Sequence, residues 1–151
     1  MRKTIWDRYR GKLRTAAEAV KCVKSGDWVY YSHFVMTPVV LDRALADRVG
    51  ELTDVKISVS NGMHPVQAAA CDPEGKTFTY NSTFFSKNDR ALADRGAAFY
   101  IPANYHEQPW RMRNGFSPKP NVAMIKTAPM DRNGFFNFGT SNSYIKAVTE
   151  M

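Results

Sequence analysis

The hydrophobic positions at the start of the chain follow the spacing of a helix, with apolar side chains at Ile5, Trp6, Tyr9 and Leu13. Gly11 interrupts this pattern, since glycine weakens a helix interior. A second helix is predicted from Thr15, whose hydroxyl can cap a backbone amide while Glu18 bonds back to the cap. It should end at Ser25-Gly26. We therefore predict two short helices before the first strand.

The next apolar stretch has the composition of a buried strand. Residues 27–32 hold aromatic and β-branched side chains in a short run, which favours a strand over a helix. A loop over 32–37 follows. Thr37 is then a predicted N-cap, with Pro38 at the first helical position, and the helix runs to Gly50. These residues predict a strand, a loop and a helix in succession.

Apolar and polar side chains alternate again at residues 54–60, which predicts a second strand. A loop is predicted for 61–76 and a third strand for 77–81. A helix capped by Ser86 is predicted over 86–95, followed by a strand over 97–101. The remaining predicted elements are a loop at 102–109, a helical turn at 110–114, a strand at 122–126, a turn at 129–134, a strand at 135–138 and a helix from Asn142.

Strands that alternate with helices indicate the α/β class, because parallel strands need crossover connections. We expect a mainly parallel sheet with helices on both faces. The chain has 151 residues and a mass of 17.1 kDa, which fits a single domain over residues 1–151.

One heptapeptide occurs twice. Asp-Arg-Ala-Leu-Ala-Asp-Arg stands at residues 42–48 and again at 89–95, each time in a predicted helix. A duplicated binding surface is conceivable. Common packing demands on two crossover helices are the favoured explanation, because repeat proteins have longer periods that recur at least three times.

The net charge of +7 changes the picture less than its size suggests. Residues 1–14 contribute +5 of it, so the body of the chain is nearly balanced. A basic arm could bind nucleic acid, but a solvated helix face is the simpler explanation, and we consider a nucleic-acid partner unlikely.

The chain has no apolar run long enough for a membrane-spanning helix and no secretory pattern at its start, so we expect a cytoplasmic protein without a membrane partner. Cys22 and Cys71 are expected to be reduced. The three histidines are too far apart in sequence for a common metal motif, and no metal site is predicted.

Familiar catalytic motifs are absent. The sequence holds no GxGxxG, no GxxxxGK[ST] and no GxSxG, so a dinucleotide fingerprint, a P-loop and a serine nucleophile elbow have no support. No carboxylate stands out as an acid, base or nucleophile, and no catalytic residue is predicted.

Two loops remain as candidates, because ligands of open α/β sheets bind beyond the carboxyl ends of the strands. Residues 32–38 combine His33 with apolar side chains and the start of a helix. Residues 60–65 offer an amide, a second imidazole at His64 and a flexible glycine. For both histidines a purely structural role is the alternative.

The most specific segment is residues 120–141, reading PNVAMIKTAPMDRNGFFNFGTS. It resembles the segment in which the acetyl-CoA hydrolase/transferase family carries a strand, a P-x-D-x-x-G turn and an aromatic F-G-x-S strand. Earlier stretches agree in order, including KSGD at 24–27, the loop at 33–38 and the approach to a helix at 84–90. Within this family the chain is most similar to 4-hydroxybutyrate and butyryl-CoA:acetate CoA-transferases.

The resemblance implies a CoA-transferase that works through a glutamyl-CoA intermediate. An enzyme carboxylate attacks an acyl-CoA thioester, which gives an acyl-glutamyl anhydride and then a glutamyl-CoA thioester, and a carboxylate such as butyrate, acetate or 4-hydroxybutyrate accepts the CoA. The implied substrates are acyl-CoA and a small carboxylate, with CoA as a substrate and no permanently bound cofactor. The implied fold is the N-terminal domain type of these enzymes.

The resemblance and the strand-end rule together place eight residues in the substrate cleft: His33, Met36, Pro38, Asn61, Met63, His64, Phe138 and Gly139. For the aromatic residues and methionines, core packing is at least as good an explanation.

Family members are longer, and their catalytic glutamate lies in a C-terminal domain with no counterpart in these residues. The sequence ends within a predicted amphipathic helix, so we expect an incomplete N-terminal domain that transfers no CoA alone. Partners are expected to be a C-terminal catalytic domain or chain, or a further copy in a homo-oligomer. An acetyl-CoA hydrolase and a non-catalytic CoA-binding module are the alternatives.

Overall fold

The computed structural model describes residues 4–151, and these form a five-stranded sheet flanked by helices. The strands are β1 (Trp28–Tyr31), β2 (Val55–Val59), β3 (Phe78–Ser82), β4 (Ala98–Tyr100) and β5 (Val122–Met124). The helices are α1 (Ile5–Lys12), α2 (Ala16–Ala19), α3 (Val39–Ala46), α4 (Gln67–Cys71), α5 (Lys87–Ala93), α6 (Gln108–Arg113) and α7 (Ile145–Thr149). A 3₁₀ turn at Val20–Cys22 extends α2, and another at Tyr105–Glu107 precedes α6.

The strands lie in the order β4-β3-β2-β1-β5, and every neighbouring pair is parallel. The chain moves outward from β1 to β4 through α3, α4 and α5. It then returns past the whole sheet, through α6, to place β5 on the other side of β1. The connection therefore reverses direction between β1 and β5, which is where open α/β sheets form a ligand crevice.

Alternate side chains of the strands feed two separate cores, as the period of two in a strand requires. Val29 and Tyr31 of β1 join the larger core, which includes Leu45 of α3 and Leu92 of α5. Tyr30 points to the opposite face and packs in a smaller core, together with Met112 of α6 and Ile145 and Val148 of α7. The predicted α/β class, with a parallel sheet and helices on both faces, is thereby confirmed.

Two buried carboxylates connect the sheet to its crossover helices. The Tyr31 hydroxyl of β1 donates to Asp42 of α3 at 3.1 Å, and the Tyr80 hydroxyl of β3 donates to Asp89 of α5. Asp42 and Asp89 are the first residues of the repeated heptapeptide. Each copy thus places its aspartate under a strand tyrosine, although the two aspartates differ in their further partners.

The predicted loop at 61–76 is wrong in part, because it contains α4. The helix has no capping side chain of its own. Instead, Asp42 accepts hydrogen bonds from the amides of Gln67 at 2.7 Å and Ala68 at 3.3 Å. A start signal supplied 25 residues away cannot be read from the local sequence.

Thr37 does not cap α3, contrary to the prediction. Its hydroxyl donates to the carbonyl of Phe34 at 2.8 Å, and the helix begins at Val39 with Pro38 as the flanking residue. The Pro38 carbonyl accepts the first helical bond, from the amide of Asp42. Thr37 therefore fixes the loop before the helix rather than the helix end.

The predicted strand at 135–138 is also wrong. The Asp131 carboxylate accepts from the amides of Asn133 and Phe135, both at 2.8 Å, and so ties the backbone into a local turn. The amide of Ala128 bonds back to the carbonyl of Asn137 at 2.9 Å, which closes a loop of its own. Aromatic composition suggested a strand, but side-chain capture of the backbone decided the conformation.

Smaller differences concern element ends. The helix from Thr15 ends at Cys22 rather than at residue 25, and β5 ends at Met124 rather than 126. Residues predicted as a loop at 102–109 contribute the 3₁₀ turn and the start of α6. Helix α1 continues through Gly11, and α7 begins at Ile145. Arg2 and Lys3 of the predicted basic arm lie outside the described residues.

Candidate functional site

All five strands are parallel, so their carboxyl ends meet at one edge of the sheet. Two pockets of about 260 Å³ each lie there. The switch-point pocket, at the reversal between β1 and β5, is lined by Thr37, Pro38, Val39, Val40, Leu41, Ile125 and Lys126. The aromatic pocket, beyond β1, β2 and β3, is lined by Phe34, Ser60, Asn61, Phe84 and Tyr105.

Ser32, the residue after β1, makes two hydrogen bonds that join the strand ends beside the switch-point pocket. Its amide donates to the carbonyl of Met124 at 3.0 Å, and its hydroxyl accepts from the amide of Lys126 at 3.0 Å. The ends of β1 and β5 are therefore fastened side by side. The walls are mostly aliphatic, and the exposed Lys126 lies among them. An apolar groove with a cation suits a ligand that has both an apolar and an anionic part.

The aromatic pocket rests on two residues with unusual backbone conformations. Phe34 has φ of 54° and Asn61 has φ of 51°. The left-handed region is uncommon for side-chain-bearing residues and costly for a bulky one, and such positions concentrate at functional sites. Phe34 forms a parallel bridge with Gly62, and the amide of Asn61 donates to the carbonyl of Phe84 at 3.3 Å. Three of the four loops that form the pocket are thus joined through their backbones.

His33 lies directly behind this pocket and is completely buried. Its Nδ1 is 2.8 Å from the hydroxyl of Ser143, and that hydroxyl also bonds the hydroxyl of Tyr105. The imidazole packs edge-on against the ring of Tyr144, with centroids 4.4 Å apart. Burial lowers the pKa of His33 to about 3, so the ring is neutral at physiological pH.

Burial also affects Tyr144, whose ring packs against the imidazole of His33. Burial raises the pKa of Tyr144 to about 12, and the neighbouring hydroxyls of Thr83 and Ser60 partly oppose this rise. The hydroxyl of Tyr144 therefore keeps its proton at neutral pH. At neutral pH, neither the imidazole of His33 nor the ring of Tyr144 therefore carries a charge.

Met36 and Gly139, two of the predicted cleft residues, are in contact with each other. Gly139 has φ of 74°, and a Cβ atom placed on it would lie only 2.6 Å from the Cε of Met36. Met36 is a buried residue of the loop that follows β1. The loop after β5 therefore closes over the loop after β1 at a position that favours glycine.

The other predicted residues divide into two groups. Pro38 lines the switch-point pocket and Asn61 lines the aromatic pocket. Phe138 is half-buried against the smaller core, whereas Met63 and His64 are exposed and line neither pocket. The eight residues thus do not share one cavity, and their functional roles remain predictions.

The sequence analysis did not single out several residues that line the pockets, namely Phe34, Ser60, Phe84, Tyr105, Ile125 and Lys126, nor Ser143, which lies behind the aromatic pocket, although Phe34 and Ser60 belong to the two candidate loops. Tyr105 lies in the loop after β4 and Lys126 two residues after β5, so the strand-end rule pointed to their neighbourhoods. Nothing in the local sequence signals the bond between Ser143 and a histidine 110 residues away.

A larger groove of about 570 Å³ lies between α1 and the turn at 130–136. Its walls include Arg8, Lys12 and Tyr9, and the Tyr9 and Phe136 rings are 5.7 Å apart. No side chain of α1 is buried. The basic helix is therefore an exposed face, as the sequence suggested, rather than a part of the core.

Residues 4–151 contain no group of three or more histidine, cysteine, aspartate or glutamate side chains arranged to hold a metal ion. Among the helices of the same residues, none combines the length and apolar character needed to cross a bilayer.

The chain belongs to the acetyl-CoA hydrolase/transferase family, because the model of that family's N-terminal domain matches residues 1–151. Among curated relatives, the butyryl-CoA:acetate CoA-transferase of Anaerostipes caccae is 42% identical over 144 residues, which cover 95% of this chain and 32% of the relative. A probable butyrate:acetyl-CoA coenzyme A-transferase of Syntrophomonas wolfei is 41% identical over 99% of this chain and 33% of its own length. The chain therefore spans about a third of these relatives.

Solved structures agree with the fold. RipA from Yersinia pestis superposes with a TM-score of 0.83 at 26% identity, over 97% of this chain and 36% of RipA. A 4-hydroxybutyrate CoA-transferase from Porphyromonas gingivalis gives a TM-score of 0.63 at 24% identity, over 97% of this chain and 33% of its own, and supports the fold alone.

Proposed function

We propose that this chain is the N-terminal part of a CoA-transferase that moves CoA between an acyl-CoA and a short-chain carboxylate, with butyryl-CoA and acetate as the preferred pair. The observation that carries the proposal is the 42% identity to a butyryl-CoA:acetate CoA-transferase along 95% of the chain. The switch-point pocket at the carboxyl edge of the sheet supports it, because this pocket offers apolar walls beside the Lys126 cation.

The proposed reaction passes through a glutamyl-CoA intermediate. A glutamate carboxylate attacks the thioester carbonyl and releases CoA thiolate, which leaves an acyl-glutamyl anhydride. The thiolate then attacks the glutamyl carbonyl of the anhydride, giving glutamyl-CoA and the free acyl carboxylate. The acceptor carboxylate reverses these two steps, so the thioester free energy is preserved while binding holds the reactants in position.

The role of residues 4–151 in this scheme is to bind and orient. The pocket between Pro38 and Lys126 would take an apolar part of the substrate next to a cation. The glutamate is proposed to come from a C-terminal domain or chain, which would face the same edge of the sheet. A homo-oligomer, the absence of a permanently bound cofactor and a cytoplasmic location complete the proposal.

The test uses the complete natural polypeptide that contains this sequence. Incubated with butyryl-CoA and acetate, it should form acetyl-CoA and butyrate in equal amounts, with ping-pong kinetics. Free CoA formed at the same rate without acetate would identify a hydrolase instead. If neither acetyl-CoA nor free CoA is formed, and 4-hydroxybutyrate is equally inert as an acceptor, the proposed function is wrong.

We further propose that residues 1–151 alone transfer no CoA, because the glutamate is supplied from elsewhere. The purified 151-residue chain should give acetyl-CoA at the rate of a protein-free blank. Adding the complementary remainder of the polypeptide should restore activity. Transfer by the 151-residue chain alone would contradict this.

A further inference from the structure

His33, Ser143 and Tyr105 form a chain of hydrogen bonds that leads from the buried interior to the aromatic pocket. His33 is fully buried, Ser143 is half-buried, and Tyr105 is 49% exposed and lines the pocket. The bonds run from His33 Nδ1 to Ser143 Oγ, and from Ser143 Oγ to the Tyr105 hydroxyl. An ordered polar chain with one end in a cavity is a means of fixing the hydroxyl at that end.

The direction of the first bond follows from the other nitrogen of His33. Nε2 is buried and has no hydrogen-bond partner among residues 4–151. A buried N–H without a partner is rarer than a buried acceptor without one, so the proton belongs on Nδ1. The lowered pKa of His33 agrees with a single proton on the imidazole ring, since burial disfavours the imidazolium.

With the proton on Nδ1, His33 is the donor of the first bond in the chain. His33 donates to the oxygen of Ser143, and either hydroxyl can be the donor between Ser143 and Tyr105. An acceptor oxygen in the pocket favours the arrangement in which Ser143 donates to Tyr105. In that arrangement the hydroxyl proton of Tyr105 has no role within the chain. It is left to donate to whatever occupies the pocket, and donation from Ser143 makes the phenol a better donor through cooperative polarisation.

The backbone around this chain is held in a costly conformation. Ser143 has φ of 50° and Phe34, next to His33, has φ of 54°. The Phe34 and Tyr105 rings are 6.5 Å apart, and the Tyr105 and Tyr144 rings are 6.0 Å apart. Strain of this kind persists where the surroundings fix it and is concentrated at functional sites.

We infer that Tyr105 donates a hydrogen bond to a carboxyl or thioester oxygen of the acyl group bound in the aromatic pocket, with Ser143 and His33 as positioning residues. The Phe34 and Phe84 side chains then contact the alkyl part of the acyl group. This inference rests on the proposed CoA-transferase function and adds to it the residue that recognises the acyl oxygen.

The test measures butyryl-CoA and acetate turnover by the complete polypeptide. Tyr105→Phe removes only the hydroxyl and should lower kcat about 10- to 100-fold, with KM for butyryl-CoA changed less than about threefold, because the bond strengthens as charge develops on the oxygen. Tyr100→Phe is the matched control, since Tyr100 is 55% exposed, packs on Phe85 and lines neither pocket. It should stay within about twofold of the unsubstituted enzyme.

Ser143→Gly tests the positioning role, because glycine accepts the left-handed backbone of this site without strain. It should lower kcat about 3- to 10-fold alone. Combined with Tyr105→Phe it should lower kcat no further, because Ser143 acts through the hydroxyl that is already gone.

The outcomes separate the inference from the function on which it rests. An active enzyme in which Tyr105→Phe stays within about twofold of the unsubstituted rate overturns the inference and leaves the proposed function standing. Additive losses in the double variant overturn the positioning role of Ser143. A polypeptide without transferase activity overturns both.

Discussion

The two copies of the heptapeptide, residues 42–48 and 89–95, have the same sequence and different structural roles. In both, the central leucine is buried and the first aspartate accepts from a strand tyrosine. Beyond this the copies diverge, because α3 packs against α4 and the turn after α2 while α5 lies nearer the edge of the sheet. We therefore expect identical residues in the two copies to contribute different amounts to the free energy of unfolding.

The aspartates show the divergence most directly. Asp89 completes a capping box within its own helix, by accepting from the Ser86 amide. Asp42 instead caps a different helix, through the amides of Gln67 and Ala68. The first aspartate of the heptapeptide thus caps its own helix α5 in one copy and caps the distant helix α4 in the other.

The last arginine differs in the same sense. Arg48 donates to the carbonyls of Val20 and Val23, at 2.6 and 3.0 Å, and pairs with Glu51 at 3.1 Å. Arg95 is exposed and donates only to the carbonyl of Ala91 in its own helix. Arg48 therefore binds the carbonyls at the 3₁₀ turn Val20–Cys22, whereas Arg95 remains at the surface.

Replacing the aspartates should give the largest difference. Asp42→Ala leaves the Tyr31 hydroxyl and two backbone amides without a partner and should cost about 3–5 kcal/mol of unfolding free energy. Asp89→Ala removes a cap and one tyrosine partner and should cost about 2–3 kcal/mol. Chemical denaturation of the complete polypeptide measures both values, and hydrogen exchange at Gln67 and Ala68 should accelerate only in Asp42→Ala. Equal losses would contradict the long-range role of Asp42.

Replacing the arginines should give a smaller but clearer contrast. Arg48→Ala should cost about 1.5–3 kcal/mol, since two carbonyls lose a charged donor in a half-buried position. Arg95→Ala should stay within about 0.5 kcal/mol of the parent, as is usual for surface substitutions. The same denaturation experiment applies, and a loss in Arg95→Ala as large as that in Arg48→Ala would refute the comparison.

The pH dependence of stability should identify Asp42 independently. Burial raises the pKa of Asp42 above its ordinary value of 3.8, although the bonds from Gln67, Ala68 and Tyr31 oppose the rise. The native state then binds the proton at a higher pH than the unfolded chain, so this group adds stability as pH falls through the raised pKa, levelling off below 3.8.

Asp42→Asn removes this titration. The stability of the parent relative to this variant should therefore increase on acidification from neutral pH towards 3.8. Parallel denaturation series on the two proteins give the difference at each pH. A difference that stays constant across this range would show that Asp42 does not titrate as its burial requires.

The exposed second aspartates should give the smallest effect. Asp47 and Asp94 occupy the C-terminal ends of α3 and α5, where a negative charge opposes the helix dipole. Asp47→Ala and Asp94→Ala should each change stability by less than about 0.5 kcal/mol. Thermal unfolding of both variants should show no difference between the two copies.

The sequence was sufficient for features that depend on local patterns. The alternating strands predicted a parallel sheet with both faces covered, and the capping box at Thr15 and the helix cap at Ser86 are present as expected. The strand-end rule pointed to the edge of the sheet at which the two pockets lie, because the direction of parallel strands follows from their helical crossovers. These inferences need only neighbours within a few residues.

The sequence was insufficient where distant groups decide the structure. Helix α4 is capped by Asp42, and the chain at 135–138 is bent by Asp131 rather than extended. In the candidate site, the partner of His33 is Ser143, on a loop that the sequence places at the other end of the chain. Such pairings depend on the assembled sheet and have no local signature.

The dependence of α4 on Asp42 also orders the folding of the chain. A five-residue helix without its own cap is too short to persist in isolation, since nucleation is unfavourable. It can form only after α3 has docked and brought the carboxylate into place. We therefore expect helix α4 to form late in folding, so that substitutions within it change the rate of unfolding much more than the rate of folding.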